Sequence, residues 1–537
     1  MKSVLLILIY LCIAQLSYSF KCGHDNLFKN KTIKSIDTRK TKKTLRNLAS
    51  SYEPINFYVD YSSLNVYNLV GNTYMSNIKS AITQATNHFK KLLKVNNVYK
   101  IEIDEPTQCE KTLIKSKSIT VDADIVIYPV ILSQNNLGEN VIAAASACFL
   151  DSDTGRPIAG VLYLGASYDF SKVNSADYLE MVLLHEISHI LVFSSGLFDY
   201  FPNQPVYKKQ IVNGVERKLI NSTAVLKMAR QHFGCDSLSG LELEDQGGVG
   251  SVGSHWESRI MLGDYMISTD YDETVISDIT LALFEDSGWY QVSYYSGGLF
   301  RFGKDQGCSF LNEKCVKDGV VTFSKEFCNQ PNEGKCLPGH ISKGICYIVE
   351  YTEPLPSEYR YFAKSTQGGF FPADYCPVAI AYSADNYYYA SSCRYGKKGQ
   401  YPSGLEEVIG ESSICIESSL TKKNDASLSY YKNTFRSICH AVKCNTEKQE
   451  IIITIGSTSV SCPRGTETVT VDGYDGKIKC PDYARICGST VWCNDPLDCI
   501  NKKSASSIVG DKINSSSNLL LSPSTIFIII ALMLSYI

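Results

Sequence analysis

Leu179 to Phe193 read LEMVLLHEISHILVF. The stretch lacks glycine and proline and is apolar almost throughout, which predicts a buried helix spanning Ala176 to Phe193. Inside it stands His185-Glu186-Ile187-Ser188-His189, two histidines four positions apart with a glutamate between them. Residues four apart share one face of an α-helix, so both imidazoles can grip one ion. Glu186 then lies beside that ion, where a carboxylate can take a proton from water. Zinc accepts nitrogen, sulfur and oxygen ligands, and a catalytic zinc keeps one position open. Five residues do not decide the matter, because a helix can also carry two core histidines at this spacing. A third ligand is required.

The flanking sequence supplies the frame. Ile55 to Val59 (INFYV), Ile125 to Tyr128 and Gly160 to Leu164 predict strands. Tyr74 to Val95 carries Ile78, Ile82, Ala85, Phe89, Leu92 and Leu93 at helical spacing. These elements predict an α+β fold: a mixed twisted sheet with two long helices, the second bearing the metal ligands. From Phe300 the composition changes, and 15 of the 20 cysteines fall between Cys308 and Cys499. That density predicts a disulfide-rich, mainly β and loop C-terminal domain.

The ends of the chain point to the secretory pathway. Lys2, the apolar run Val4 to Ala14 and the small residues Ser17-Tyr18-Ser19 form a cleavable signal peptide. Ile526 to Ile537 is apolar but shorter than the ~20 residues of a spanning helix. Asn514, Ser515 and Ser516 lie upstream of it, and small residues, a spacer and an apolar tail are the signal for a glycosylphosphatidylinositol (GPI) anchor. A short transmembrane tail is the alternative, and plain secretion the alternative destination. Asn30, Asn221 and Asn514 occupy glycosylation sequons. A net charge of −3 gives no reason to invoke nucleic acid. Lys21 to Ser50 holds nine Lys or Arg against two Asp, and Arg39 to Arg46 is an exposed, cleavable stretch. The expected partition is 1–19 signal peptide, 20–50 basic propeptide, 51–195 N-terminal catalytic part, 196–300 insertion, 301–500 cysteine-rich domain, and 501–537 stalk and anchor signal.

The chain has eight histidines, so the third ligand comes from His24, His88, His232, His255, His340 or His440, or from an acid. His255 stands in Gly253-Ser254-His255-Trp256, with Met266 eleven residues on. This pattern resembles the leishmanolysin-like surface metallopeptidases of the metzincin clan, where an insertion separates HExxH from a distant Ser-His-Trp followed by a methionine. Leu241-Glu242-Leu243-Glu244-Asp245, Cys148 ahead of Gly160-Val161, and Gly307 to Leu311 are similar to segments of the same family. The resemblance implies a metzincin-type catalytic domain, one zinc held by His185, His189 and His255, Glu186 as general base, and Met266 in the turn below the metal. It also implies protein or peptide substrates. The family has glycine three residues after the second histidine, and this chain has Val192. The expectation is that the helix runs on to Ser194-Ser195-Gly196 and turns at Gly196.

Cys22-Gly23-His24-Asp25 resembles the family's propeptide motif, in which a thiolate fills the open zinc position. Setting Cys22 aside leaves 18 mature cysteines, enough for nine disulfides; a structural pairing of Cys22 is the alternative. Cys109–Cys148 within the catalytic part and Cys235–Cys308 across the boundary are the expected pairs, and the connectivity of the other cysteines is open. Gly160 to Leu164 is expected at the sheet edge, where an extended substrate could pair with it. Ser268 stands where several metzincins carry a helper tyrosine, leaving Tyr265 as a candidate only by proximity. The competing function is an inactive, peptidase-like surface adhesion protein. Oligomeric state is open.

Overall fold

The computed structural model describes residues 33–36, 52–66, 72–96, 100–103, 107–109, 112–114, 119–137, 141–166, 176–246, 251–294, 300–381, 391–394, 401–431 and 434–487. The signal peptide, Cys22, Asn30, the basic run from Arg39, Asn514 to Ser516 and the apolar tail lie outside them.

Five strands build the central sheet: β1 Lys34–Ile36, β2 Phe57–Val59, β3 Ile125–Leu132, β4 Ala143–Asp151 and β5 Pro157–Gly165. Their order is β1-β4-β5-β3-β2, and only the β4–β5 pair is antiparallel. β4 and β5 are buried along their whole length, which explains why both read as apolar runs without alternation. Two helices, α1 Asn72–Leu92 and α2 Ala176–Leu191, share one core cluster with Ile125, Ile127, Leu162 and Leu164. Val126, Tyr128, Val161 and Tyr163 point the other way and pack with Ile101 and Cys109. Buried His88 of α1 meets Glu180 of α2 at 2.9 Å, a polar tie between the helices. Gly160 lets α2 approach β5, since a Cβ there would fall 2.3 Å from Ile190.

The sheet corrects one expectation. Gly160 to Leu164 is not an edge: β5 lies between β4 and β3 and pairs with both. The strand that displaces it from the edge, β4, is written AAASACFLD and carries no alternation to betray it. Beyond β4, Lys34–Ile36 pairs in parallel with Phe149–Asp151.

After α2 comes a hairpin of β6 Tyr207–Val212 and β7 Val215–Ile220, extended by β8 Leu241–Glu242. Between them lies α3 Thr223–Phe233, whose N-terminal amides of Ala224 and Val225 donate to Asp286. The Ser222 hydroxyl, within the Asn221 sequon, donates to the same carboxylate, and the Asn221 side-chain oxygen is buried. α4 Ser258–Met261 and α5 Asp278–Asp286 complete this part.

The main core does not stop at residue 300: Val316, Phe327, Leu337, Ala373 and Val378 belong to the cluster that contains α2. A separate core fills the C-terminal sheet. Its strands are β9 Ser413–Ser418, β10 Arg436–Asn445, β11 Glu450–Ile455, β12 Thr458–Pro463, β13 Thr468–Val469 and β14 Ile478–Lys479, in the order β12-β11-β10-β9-β14-β13. Every cysteine among the described residues is paired. Cys109–Cys148 and Cys235–Cys308 are formed as expected. The others join 315–376, 328–346, 336–415, 393–439, 444–487 and 462–480. The α+β class and the disulfide-rich C-terminal region agree with the sequence reading. No helix among the described residues is long and apolar enough to cross a membrane.

Candidate metal centre

One turn of α2 sets His185 and His189 side by side, with Nε2 atoms 3.1 Å apart. His255 brings its Nε2 to 3.3 Å from that of His185. A tetrahedral metal with nitrogen bonds of about 2.0–2.1 Å has ligand edges of roughly 3.3 Å, so the three nitrogens fit such an ion. The other ring nitrogens settle the tautomers. His185 Nδ1 lies 2.6 Å from the Tyr265 carbonyl, His189 Nδ1 2.7 Å from that of Phe193, and His255 Nδ1 2.9 Å from that of Ser251. A carbonyl only accepts, so each Nδ1 carries the proton and each Nε2 presents a lone pair inward. Lone pairs facing each other at these distances repel, and a cation between them removes the repulsion. Glu186 is fully buried beside His185.

The helix ends at Leu191, not at Gly196. The amides of Val192 and Phe193 both donate to Ser188 O, and Ser194 N donates to Val192 O. No residue of 192–196 takes a positive φ, so a β-branched valine is tolerated at the exit. Phe193 then packs edge-on against Trp256 at 4.9 Å, in the position from which its carbonyl receives His189.

His255 arrives by a backbone ladder. Glu244 N donates to His255 O, Gly253 N to Glu244 O, and Glu257 N to Glu242 O. Trp256 N donates to Met266 O, which ties the histidine segment to the turn at 264–267. The Trp256 indole N–H donates to Thr280 Oγ1 at 2.7 Å, and the Thr280 hydroxyl donates to Asp264 at 2.8 Å. Asp264 also accepts the Met266 amide at 2.7 Å. Burial pushes the Asp264 carboxyl up to about 6 against these bonds. Met266 is fully buried.

With this geometry in view, the relatives can be weighed. The family model for leishmanolysin (peptidase family M8) matches residues 72–493. The chain is 31% identical to leishmanolysin of Leishmania tropica over 71% of its length, and 30% identical to that of Leishmania donovani over 69%. A leishmanolysin-like peptidase of Drosophila pseudoobscura pseudoobscura is 27% identical over 65% of the chain and 61% of its own length. The chain belongs to the leishmanolysin family. It spans 56% of the Leishmania tropica protein and 62% of the Leishmania donovani one. The family is one of zinc-dependent metallopeptidases.

Within this leishmanolysin frame, the other expected residues fall as follows. Tyr265 is buried, its hydroxyl bonds to Ser188 Oγ at 2.8 Å, and burial drives its phenol far above the usual range. What it presents to the three histidines is its carbonyl, which accepts from His185 Nδ1. The Ser268 hydroxyl donates to Glu244 at 3.0 Å.

Sequence reasoning missed a buried charge cluster. Arg217 meets Asp245 at 2.5 Å, Asp374 at 2.6 Å and Glu257 at 3.6 Å, and Arg259 meets Glu242 at 2.6 Å and Asp374 at 3.3 Å. Burial alone would pull Arg217 down, but Asp374, Glu257, Glu242 and Asp245 more than reverse it. Burial also raises Glu244 and Glu257 well above the carboxylate range. The only signal in sequence was the acidic LELED run, which looks like an ordinary polar strand. Nothing there reveals that Arg217 and Asp374 would meet it.

Proposed function

We propose that this protein is a zinc-dependent endopeptidase of the cell surface that hydrolyses peptide bonds in proteins. The observation that carries the reading is the convergence of the His185, His189 and His255 Nε2 atoms beside the buried Glu186. The three histidines would hold the metal. When bound, zinc supplies Lewis-acid polarisation of a carbonyl oxygen and lowers the pKa of a water molecule. Glu186 accepts the water's proton on a carboxylate oxygen and later passes it to the departing amine nitrogen. The Tyr265, Phe193 and Ser251 carbonyls keep the imidazoles oriented and their Nε2 lone pairs available. Met266 contributes packing in the turn whose backbone carries Tyr265.

Residues 20–50 act as a propeptide in this reading. The pairing of Lys34–Ile36 along β4 supports a pro-segment laid on the sheet; Cys22, outside the described residues, is its proposed zinc-blocking thiol. The tail beyond Asn514 directs lipid anchoring, and phosphatidylinositol-specific phospholipase C should release the protein from cells.

The deciding experiment is casein hydrolysis by the processed ectodomain, with and without a chelator. Activity should vanish with chelator and return with zinc, and Glu186→Ala should lose turnover while still binding zinc. Chelator-resistant hydrolysis, or full activity in that variant, would refute the mechanism.

A further inference from the structure

The chain leaves the Met266 turn, crosses to the disulfide-rich region and is back nine residues later at Val275. On the way out, the Tyr271 hydroxyl donates to Ala379 O at 2.9 Å, and the Ser391 hydroxyl donates to Asp272 at 2.5 Å. Glu273 then receives three backbone amides of one loop: Gly339 at 2.5 Å, Ile341 at 2.6 Å and Ser342 at 2.6 Å. Backbone N–H bonds to a carboxylate are among the stronger hydrogen bonds a protein makes. The loop is shaped around this carboxylate, since a Cβ on Gly339 would sit 2.7 Å from Glu273 Oε2.

The return leg leads straight to the metal centre. Val275 N donates to Gly263 O, and Tyr265 N donates to Val275 O, both at 2.8 Å. Tyr265 offers its own carbonyl to His185 Nδ1. Glu273 is therefore two residues from the backbone pairing that fixes the carbonyl orienting a ligand imidazole. Residues Leu337, Ala373 and Val378, on the far side of this contact, already share the core of α2.

We propose that Glu273 is a positioning residue for the zinc site: it clamps the arm that follows the methionine turn onto loop 339–342. The disulfide-rich region is thereby part of the metal centre's support and not a separable attachment. The proposal rests on His185, His189 and His255 being the zinc ligands.

The test uses the full processed chain and four variants: Glu273→Ala, Gly339→Ala, Ile453→Ala and His255→Ala. Zinc affinity is measured by competition with a chromophoric chelator, and kcat and KM with a quenched fluorescent peptide, at a temperature where every variant is folded. Glu273→Ala removes the clamp from one side, and Gly339→Ala obstructs it from the other. Both should weaken zinc binding roughly 10-fold or more, the usual cost of losing a group that orients a metal ligand. Both should lower kcat while KM stays within about twofold, because the substrate contacts are untouched. Ile453→Ala, in the core of the C-terminal sheet on which Ile341 of the loop also packs, lowers thermal stability while leaving every Glu273 contact in place, and its zinc affinity and kcat should match the wild type. Wild-type zinc affinity in both clamp variants, or an equal loss in Ile453→Ala, overturns the proposal. If His255→Ala binds zinc as the wild type does, the ligand assignment itself fails; if it loses zinc while the clamp variants keep it, only the clamp fails.

Discussion

The two halves of the metal centre are built by different means. His185 and His189 are placed by one helical turn, and their relation to each other is local. His255 is placed by contacts among segments far apart in sequence: residues 242–244 at the end of β8, the methionine turn, Thr280 of α5 and the carboxylates that surround Arg217. A helix needs only its own residues to hold a four-residue spacing. A ligand delivered by a long insertion needs a framework, and here that framework includes buried charge and part of the disulfide-rich region. The helical half should therefore tolerate distant substitutions, and the delivered half should not.

The largest effect separates chemistry from scaffold. Glu186→Gln keeps the helix and all three histidines but removes the proposed proton acceptor. Peptidase activity should fall by roughly 10²–10⁴-fold, the usual contribution of a general base. Zinc content by elemental analysis should stay at the wild-type level; loss of zinc would show that Glu186 also holds the site together.

Arg217→Met attacks the delivered half alone. Removing the guanidinium leaves buried Asp374 with Arg259 as its remaining partner and takes the nearest counter-charge from buried Glu257 and half-buried Asp245, which should cost about 3–5 kcal/mol. Glu257 and Glu242 flank His255 in the ladder, so zinc affinity should fall together with the unfolding midpoint. Thermal unfolding in the presence and absence of zinc tests this. If the zinc-induced stabilisation is unchanged in the variant, the charge cluster supports the fold and not the metal centre.

The same division governs what the sequence discloses. α1, α2, β2, β3 and β5 are legible because their patterns are local: helical spacing from Ile78 to Leu93, or short apolar runs between turn residues. β4 is hidden because both its faces are buried and its alanines give neither periodicity nor β-branching. That omission sent β5 to the edge in the sequence reading. Val192 misled for a related reason. The absence of glycine implied a longer helix, whereas the exit is made by two amides sharing Ser188 O, a geometry any residue can adopt. His255 was singled out through a resemblance of spacing. Arg217, Asp374 and Glu273 were not, because a charged residue in a loop or hairpin is ordinarily solvated, and only the folded packing shows that these are buried.

Acid should act on the C-terminal sheet through a buried histidine. His440, on β10, is wholly inaccessible to solvent, and burial pushes its imidazole down to about 4, with the Glu406 backbone a small opposing influence. The folded protein thus prefers neutral His440. Above pH 6.5 the imidazole is uncharged in both states and its contribution to stability is complete. As pH falls from 6.5 to about 4, the unfolded chain takes up a proton that the folded one refuses, and stability drops by about 3 kcal/mol. His440→Leu should flatten the pH dependence of denaturant unfolding by about that amount over this window. An unchanged slope would mean that His440 is protonated in the native state.

Trp256→Phe makes the finest cut between the two halves. Phenylalanine retains most of the ring that packs against Phe193 but loses the indole N–H that reaches Thr280. Thr280 Oγ1 can still donate to Asp264, so no charge is left unpaired; what is lost is one neutral hydrogen bond and the buried volume of the second indole ring. The stability cost should be about 1–3 kcal/mol. If the relay from Trp256 through Thr280 to Asp264 merely pins the tryptophan, zinc affinity should change less than about twofold, since the Nδ1 contact of His255 to Ser251 is intact. If the relay sets the distance between the histidine segment and the methionine turn, zinc affinity should fall further than the stability loss accounts for. The Trp256 N–H to Met266 carbonyl bond already holds that distance at 2.9 Å, so the smaller change is the expected one.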